Sequence, residues 1–340
     1  MTTGALPRRV TARDVARRVG CSVATVSLVV NGKGEGRVAS STQQLIWEAV
    51  ADLGYRLNQT ASALARGRSS TIGFVCPDPT NPFFSMVLEG LSGALDDELS
   101  LTLLMPNQGS DYDLGTLQRA LAGDFAGLII ATPGRHLMDG FVPTCPTLLL
   151  DAAEAHPRIP GIDLDVVGAA GQLADHLAGL GHRAVGYVGV SRDKASLQTR
   201  RQALASSLER LGSAVVADLE LDVLTLSSAR DAFSTAWPAW DAAGVTAVVC
   251  GDELHAYGVL QAARTLGIDV PGRLSLVGFN DLPYSELVQP RLTSVNLSAL
   301  DLGAAAGAAL QEYLITGEPP ATTMLPTRLV VRESTARASR

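Results

Sequence analysis

Three hydroxyl side chains lie close together near the amino-terminal end, at Ser22, Thr25 and Ser27. If Ser22 caps a helix, these hydroxyls and the free amides of the first turn are donors suited to phosphate oxygens. The residues that helical spacing then turns outward are Val23, Ala24, Ser27 and Leu28. The pattern therefore predicts a helix that can bind a polyanion.

The charge distribution supports a polyanionic partner for the amino-terminal part only. Residues 1–70 carry ten Lys/Arg and four Asp/Glu, a net charge of +6, whereas the remaining 270 residues carry 17 and 30, a net charge of −13. Such asymmetry is typical of a chain in which one part meets nucleic acid. The alternative is a solvated basic face without a partner.

Three short helices are expected to position these residues. Thr11 can cap the first, which Gly20 ends, and the second runs from Val23 to Val30. The third runs from Ser41 to Leu53, and its expected core stripe is Leu45, Ile46, Ala49, Val50 and Leu53. Two helices joined by a tight turn inside a basic three-helix unit predict a helix-turn-helix; the alternative is a plain three-helix bundle.

From Thr71 onward, short apolar runs alternate with amphipathic helical stretches. This alternation predicts an α/β body with mainly parallel sheets. The expected strands are Ile72–Cys76, Leu101–Leu104, Gly127–Ala131, Thr147–Leu150, Ala184–Val188, Ala247–Cys250, Leu274–Gly278 and Leu329–Val331, with helices at 83–97, 166–180, 195–211, 254–266 and 299–316. The body should have two lobes around a cleft.

Several classes of function lack their sequence signals. The five histidines form no H-E-x-x-H pattern, and neither G-x-S-x-G nor a P-loop occurs, so we expect no enzyme, no catalytic or metal site and no cofactor. The four cysteines are far apart and are expected to be reduced core thiols. Without an apolar signal core or an 18-residue apolar run, we expect no membrane span and a cytoplasmic protein.

Ordered motifs along nearly the whole chain resemble the LacI/GalR family of transcriptional regulators. These motifs are VTARDVARRVGCSVATVSLVVNGKG (10–34), LGYRLN (53–58), ASALARG (61–67), TIGFVCPDPTNPFF (71–84), LGHRAVGYVG (180–189), GDELHAYGVLQAARTLGIDVPGRLSLVGFND (251–281) and PRLTSV (290–295). The resemblance implies an all-α helix-turn-helix head at 1–56, a hinge helix and linker at 57–70, and a periplasmic-binding-protein-like core at 71–335. The first lobe would hold 71–162 and 293–322, and the second lobe 163–292 and 323–335.

The resemblance also implies roles in DNA binding. The positions that match phosphate-contacting or head-ordering residues are Thr11, Ser22, Thr25, Ser27, Asn31 and Tyr55; those that match base-reading residues are Val23, Ala24 and Leu28. The hinge helix matches Asn58 to Ala65, including Ala61, and Leu64 matches a leucine that wedges into the minor groove. Such a wedge bends the duplex.

This chain departs from the family pattern in its head. Leu28 stands where arginine is common, so a bidentate reading of guanine is lost, although leucine can touch a thymine methyl. The loop at 31–38 is about two residues longer than usual, and Leu57 replaces a common proline. We therefore expect an altered operator half-site with a normal central step.

The resemblance further implies a small-molecule effector between the lobes. The matching positions are Asp78, Asn81, Phe83, Phe84, Asp151, Ser196, Asp252 and Asn280. The alternatives are helix capping by Asp78 or Asn81, core packing of the two phenylalanines, a loop cap at Asp151 and a structural role for Asp252. Family members usually bind a sugar.

Two polar groups of the usual sugar site are expected to be missing. The arginine of the helix near 194–205 aligns with Ser196 or Thr199, with Arg200 and Arg201 on other faces, and Asn280 replaces an aspartate. The loss of such groups would favour a less polar or differently shaped effector, or none. The expected protein is a dimeric repressor of a pseudo-palindromic operator; the alternatives are a regulator without an effector switch and a solute-binding protein.

Overall fold

The computed structural model describes residues 10–55, 69–105, 122–133, 141–152, 156–190 and 195–339. The chain divides into two compact units, Met1–Ser69 and Ser70–Arg340. Each unit has a buried apolar core of its own. The expected fold class, a helical head joined to a two-lobed α/β core, is confirmed.

The first unit contains helices α1 (Ala12–Val19), α2 (Val23–Val30) and α3 (Ser40–Leu53). α1 ends at Gly20, whose φ of 75° is the left-handed conformation that glycine adopts without strain. The helices enclose a core of Val15, Ala16, Val26, Val29, Ile46 and Ala49. The expected core stripe of α3 is wrong at Leu45, which is 53% exposed because Ile46 and Ala49 fill the contact with the other helices.

The second unit is built on two six-stranded sheets. Its strands are β1 (Thr71–Val75), β2 (Ser100–Leu104), β3 (Gly127–Ala131), β4 (Thr147–Leu150), β5 (Gly161–Leu164), β6 (Ala184–Val190), β7 (Ala214–Leu221), β8 (Ala247–Cys250), β9 (Ser275–Asn280), β10 (Thr293–Asn296), β11 (Thr323–Leu325) and β12 (Arg328–Val330). The first sheet has the order β11-β5-β4-β3-β1-β2 and the second β12-β10-β9-β8-β6-β7. Every pairing is parallel except β10 with β12.

Six α-helices of the described part cover these sheets. They are α4 (Pro82–Ala94), α5 (Val166–Gly179), α6 (Ala195–Arg210), α7 (Leu226–Ala242), α8 (Glu253–Leu266) and α9 (Ala299–Thr316), and a short 3-10 helix spans Pro283–Glu286. Because parallel strands need crossover connections, the helices lie between successive strands. Each lobe is therefore a parallel sheet with its helices.

Helices α4 and α9 pack closely because glycines face the contact. A Cβ at Gly90 would lie 2.0 Å from the carbonyl oxygen of Leu300, and one at Gly303 would lie 2.0 Å from that of Val87. Only glycine allows backbones to approach this closely. The crossing joins the helix that follows β1 to the helix that follows β10, and so fixes α9 on the first lobe.

The chain crosses between the two lobes at positions that differ from the expected ones. The expected division put 293–322 in the first lobe and 323–335 in the second. In the structure β10 pairs with β9 in the second sheet, whereas β11 pairs with β5 in the first. The chain thus crosses after β5, after β10 and after β11. The two strands that were expected in the other lobe, β10 and β11, are only four and three residues long. Each joins the sheet of the strand with which it pairs, and the hydrophobic pattern of the sequence does not identify that partner strand.

Candidate functional site

One exposed face of α2 carries the residues that helical spacing predicts to point outward. Val23 is 44% exposed and Ala24 and Ser27 are exposed, whereas Val26 and Val29 are buried. Leu28 is half-buried. The helix is thus anchored by valines on one side and presents small side chains on the other, which allows close approach of its backbone to a partner.

Hydroxyl and amide groups define both ends of α2. The Ser22 Oγ accepts a hydrogen bond from the Thr25 amide at 3.0 Å and lies 2.8 Å from the Thr25 Oγ1. At the other end, the Asn31 Nδ2 donates to the Ser27 carbonyl oxygen at 2.7 Å. Ser22, Ser27 and Asn31 are exposed and Thr25 is half-buried, so these groups can order the helix ends and still face a phosphate.

The other predicted residues of the head lie outside α2, in different parts of the chain. The backbone amide and the hydroxyl of Thr11 both donate to the Asp14 Oδ2, at 3.0 and 2.6 Å, and so fix the start of α1. Tyr55 is half-buried and packs against the helical core. The predicted hinge residues Asn58, Ala61 and Leu64 lie outside the described residues.

A narrow cleft lies at the carboxyl ends of strands from both sheets. Its lining residues are Asp78, Asn81, Phe83, Phe84, Thr132, Asp151, Ser196, Leu197, Arg200, Leu224, Asp252 and Asn280. All eight predicted effector residues are in this set. Carboxyl ends of parallel strands are where ligands bind in α/β proteins, because loops and helix amino termini converge there.

The first lobe contributes Asp78 and the start of α4. The Asp78 Oδ1 accepts hydrogen bonds from the amide and hydroxyl of Thr80, at 2.9 and 2.6 Å. The Asn81 Oδ1 caps α4 by accepting from the Phe83 amide at 3.0 Å, while its Nδ2 points across the cleft. Phe83 and Phe84 stack edge to face with ring centroids 5.3 Å apart. Capping and cleft lining are therefore combined in the same residues.

The second lobe meets Asn81 at Asp252. The Asp252 Oδ2 accepts from the Asn81 Nδ2 at 3.0 Å and from the Asn280 Nδ2 at 2.8 Å. Its Oδ1 caps α8 by accepting from the Leu254 amide at 2.8 Å. The carboxylate is almost fully buried. Asp252 thus has a structural role at α8 and also joins the two lobes.

Arg200 corrects the expectation that the cleft lacks a guanidinium. It is 4% exposed, and its Nη2 lies 3.4 Å from the Asp151 Oδ2, which also accepts from the Ser196 Oγ at 2.8 Å. Ser196 and Arg200 are four residues apart, and such residues share a helix face. This i, i+4 spacing is a signal in the sequence that could have placed Arg200 with Ser196, but the prediction of a missing arginine did not use it.

Arg200 has donor capacity beyond these contacts. Its Nη1 donates to the Gly251 carbonyl oxygen at 3.1 Å and lies 3.4 Å from the Asn280 Oδ1, while the guanidinium lies 5.5 Å from the centre of the Phe279 ring. Its buried Nε has no hydrogen-bond partner in the described part of the chain. A buried donor of this kind is costly unless a ligand or water pairs with it.

Burial and charge act against each other at Asp151. Burial raises the pKa of the Asp151 carboxyl above its ordinary value, whereas Arg200 and Ser196 stabilise the carboxylate and lower it. The backbone is strained at the same place. Thr132, Asp151 and Asn280 have φ values of 43°, 48° and 110°, in the left-handed region that non-glycine residues rarely adopt. Such strain is concentrated at functional sites.

Directly behind the cleft, Glu253 is fully buried. It accepts from the Ser285 Oγ at 2.5 Å and from the Asp281 amide at 2.9 Å. Burial raises the pKa of Glu253 to about 8, although these hydrogen bonds oppose the shift. Glu253 follows Asp252, and Asp281 follows Asn280, so the hydrogen bond from the Asp281 amide joins the two segments that carry these cleft residues.

Two family models match separate parts of the chain. Residues 11–58 match the bacterial regulatory proteins of the lacI family, and residues 174–335 match a periplasmic binding protein-like domain. The first match covers the helices of the head, and the second covers the second lobe and the carboxyl-terminal strands.

Similar proteins match over nearly the whole length. The regulator MalR of Streptomyces coelicolor is 31% identical over 350 residues, covering 96% of both chains. The ribose operon repressor of Bacillus subtilis is 31% identical over 336 residues, covering 96% of this chain and 98% of its own. A lac repressor dimer bound to operator and the anti-inducer ONPF has the same fold, with a TM-score of 0.80, 23% identity and coverage of 97% and 100%.

Proposed function

Because this chain belongs to the lacI family of bacterial regulatory proteins and is a DNA-binding regulator of transcription, we propose that it is a repressor that binds its operator as a dimer under control of a small polyol. The observation that carries the DNA-binding part is the exposed face of α2, with capped ends and a buried valine side. We propose a head at 1–56, a hinge at 57–70 and an effector-binding core at 71–335, with no catalytic step.

The recognition face suits direct contact with base edges. The amino-terminal half of a recognition helix lies in the major groove. There, Val23 and Ala24 would contact thymine methyl groups, and Ser22, Thr25 and Ser27 would donate to phosphates or bases. Leu28 can add an apolar contact but no bidentate one. We therefore propose a half-site in which thymine methyls replace a guanine.

The chemistry of the cleft favours a polyol. Carboxylates accept hydrogen bonds from hydroxyls, Arg200 and the two asparagines donate to hydroxyl oxygens, and phenyl rings cover the apolar face of a sugar ring. One similar protein is, by its name, the repressor of a ribose operon. The expectation of a less polar effector rested on a missing arginine and a missing aspartate. Because Arg200 lines the cleft, only the replacement of the aspartate by Asn280 remains, and we propose a sugar-like effector.

Effector control would follow from linkage. Asn81 and Asp252 come from different lobes, as do Asp151 and Arg200, and the ligand would contact both pairs. A ligand that binds one arrangement of the lobes more tightly shifts the protein toward that arrangement. The segments that cross between the lobes would carry this change toward the hinge.

A dimer is supported by exposed apolar side chains around the start of α8. They are Val223, Leu226, Tyr284 and Leu287. The Val223 carbonyl oxygen lies 3.3 Å from the His255 Nε2, and the Tyr257 hydroxyl lies 3.0 Å from the Ser285 Oγ, so α8 connects both pairs. A two-fold dimer predicts a pseudo-palindromic operator.

Selection of DNA sequences tests this function directly. The full-length protein is incubated with a pool of random duplexes at about physiological salt, where specific and non-specific binding separate. Enrichment of a pseudo-palindrome is the expected result. Recovery of no common sequence, with only salt-sensitive bulk binding, would contradict a specific regulator. The enriched duplex then serves to screen sugars for those that change its affinity.

A further inference from the structure

The long loop between α2 and α3, residues 31–39, is an ordered part of the head. The Gln43 Nε2 donates to the carbonyl oxygens of both Gly34 and Val38, at 3.1 and 2.8 Å. The backbone closes a turn of its own, since the Val38 amide donates to the Gly34 carbonyl oxygen at 2.9 Å. One side chain from α3 thus fastens both ends of the turn.

Glycines give this loop its shape. Gly32 and Gly36 both have a φ of 70°, which side chains rarely adopt. Gly34 is buried, and a Cβ there would lie 3.1 Å from Val29 and 3.2 Å from Gln43. The loop is therefore folded back on the helical core at Gly34, and the residues that follow each of the three glycines project from it.

The projecting residues are charged. Lys33, Glu35 and Arg37 are exposed. Neither Lys33 nor Arg37 has an ion-pair partner among the residues that the structure describes. The Lys33 amide donates to the Leu28 carbonyl oxygen at 2.8 Å, so the first cation follows directly on the recognition helix.

When a helix lies in the major groove, the loop that follows it lies near the phosphate backbone of the DNA. With the amino-terminal end of α2 at the base edges, its carboxyl-terminal end leaves the groove, and phosphate backbones form the walls of that groove. A chain that leaves the groove passes a phosphate wall. Cations there gain affinity by releasing counterions, whatever the DNA sequence.

We propose that loop 31–39 is a second, sequence-independent DNA contact, in which Lys33 and Arg37 each bind a backbone phosphate and Glu35 weakens the contact. This inference rests on the proposed DNA-binding function. It adds two cations to the hydroxyls of α2 and makes Gln43 a positioning residue for them. Because the loop is fixed by Gln43 and the glycines, the backbone that carries its cations is held in place before DNA arrives.

The test is the salt dependence of DNA binding by the full-length protein. Affinity for a fluorescent 30-base-pair duplex of arbitrary sequence is measured from about 50 to 200 mM KCl. Lys33→Ala and Arg37→Ala should each reduce the slope of log affinity against log salt by about 0.9, the value for one lost phosphate contact. Lys33→Arg and Arg37→Lys should keep the slope. Glu35→Gln should strengthen binding at every salt concentration.

A control variant that loses two positive charges elsewhere distinguishes a phosphate contact by the loop from attraction of DNA by net charge. The double variant Arg158→Ala/Arg328→Ala removes two exposed cations from the second unit and should leave the slope unchanged. Gln43→Ala keeps every charge but frees the loop, and should weaken binding while the melting temperature of the head stays within a few degrees.

The outcomes distinguish the inference from the function on which it rests. Absence of DNA binding by the unaltered protein overturns the proposed function and this inference with it. Unaltered binding whose slope does not change in Lys33→Ala and Arg37→Ala overturns the loop contact alone. Equal loss of slope in the Arg158→Ala/Arg328→Ala control would also overturn it, because the effect would then be one of net charge.

Discussion

At the scale of single residues, the ion pair of Arg200 and Asp151 dominates the cleft. Both side chains are 4% exposed, and the Asp151 carboxyl has its pKa raised by burial. A buried pair contributes little net stability, but removal of one partner leaves an uncompensated charge. The pair therefore fixes the positions of donors and acceptors that line the cleft and adds little net stability.

Replacement of Arg200 should reveal this arrangement. We expect Arg200→Ala to lower the free energy of unfolding at pH 7 by about 3–5 kcal/mol, because Asp151 stays buried without its cation. The neighbouring Arg201, which pairs with Asp218 and is 40% exposed, is the matched control, and Arg201→Ala should cost less than about 1 kcal/mol. Urea unfolding of both variants measures the difference. Equal losses would contradict the account of Arg200.

Glu253 makes stability depend on pH between about pH 4.5 and 8. Its pKa in the folded protein, about 8, lies above the ordinary value of 4.5, so the folded state holds the proton more tightly. The stabilisation is complete below the ordinary value and is lost as the pH rises through about 8. We therefore expect the free energy of unfolding to fall between about pH 5 and 8 and to level off above this range.

The control variants isolate this carboxyl. Glu253→Gln should remove most of the decrease between about pH 5 and 8, since the amide does not titrate. Glu318→Gln, at an exposed position, should leave the pH profile as it is. Chemical unfolding across this pH range gives the result, and a profile that Glu253→Gln does not flatten would assign the decrease to other groups.

At the scale of elements, two glycines on α4 have opposite surroundings. A Cβ at Gly90 would lie 2.0 Å from the backbone of α9, whereas one at Gly93 would meet nothing within 4 Å. The first glycine is required by the helix crossing. The second has no contact that requires it, and glycine inside a helix is less stable than alanine.

The two substitutions should therefore have opposite signs. We expect Gly90→Ala to destabilise the core by at least about 1–3 kcal/mol, as overpacking does, because backbone and not a flexible side chain must move. Gly93→Ala should stabilise it by up to about 1 kcal/mol. Thermal unfolding compares them, and a stabilising Gly90→Ala would mean that the helices separate without cost.

At the scale of the whole molecule, the proposed dimer depends on the apolar residues around α8. Leu287 and Ile315 are both 76% exposed, but only Leu287 lies near the Tyr284 side of this patch. Leu287→Glu should dissociate the dimer at micromolar concentration and weaken binding to the selected duplex, since a charge would be buried without a partner. Sedimentation measures the state of assembly. Ile315→Glu should remain dimeric; dissociation by both variants, or by neither, would argue against this interface.

No helix in the described ranges is long and apolar enough to cross a membrane. In the described part of the head, all the basic side chains are exposed to solvent, namely Arg13, Arg17, Arg18, Lys33 and Arg37. Long-range attraction to DNA would therefore orient the molecule head first. This attraction weakens as the salt concentration rises.

The amino-acid sequence by itself determined the parts that depend on local signals. The caps at Ser22 and Gly20, the bounds of α2 and the alternation of strand and helix all follow from neighbouring residues, and the ordered motifs identified the family. Local signals were weaker for α7, which contains Pro238 and was not predicted, and for β5, β7, β10 and β11. In α7 the burial of Phe233 and Trp240 outweighs the breaking effect of the proline.

Only the tertiary structure decided which groups meet. The direction of Arg200, the exposure of Leu45 and the sheet to which β10 and β11 belong depend on residues distant in the chain. The cleft joins Asn81 to Asp252 and Asp151 to Arg200 across separations of 171 and 49 residues. Periodicity and capping report on one element at a time, whereas such contacts depend on how elements pack against each other.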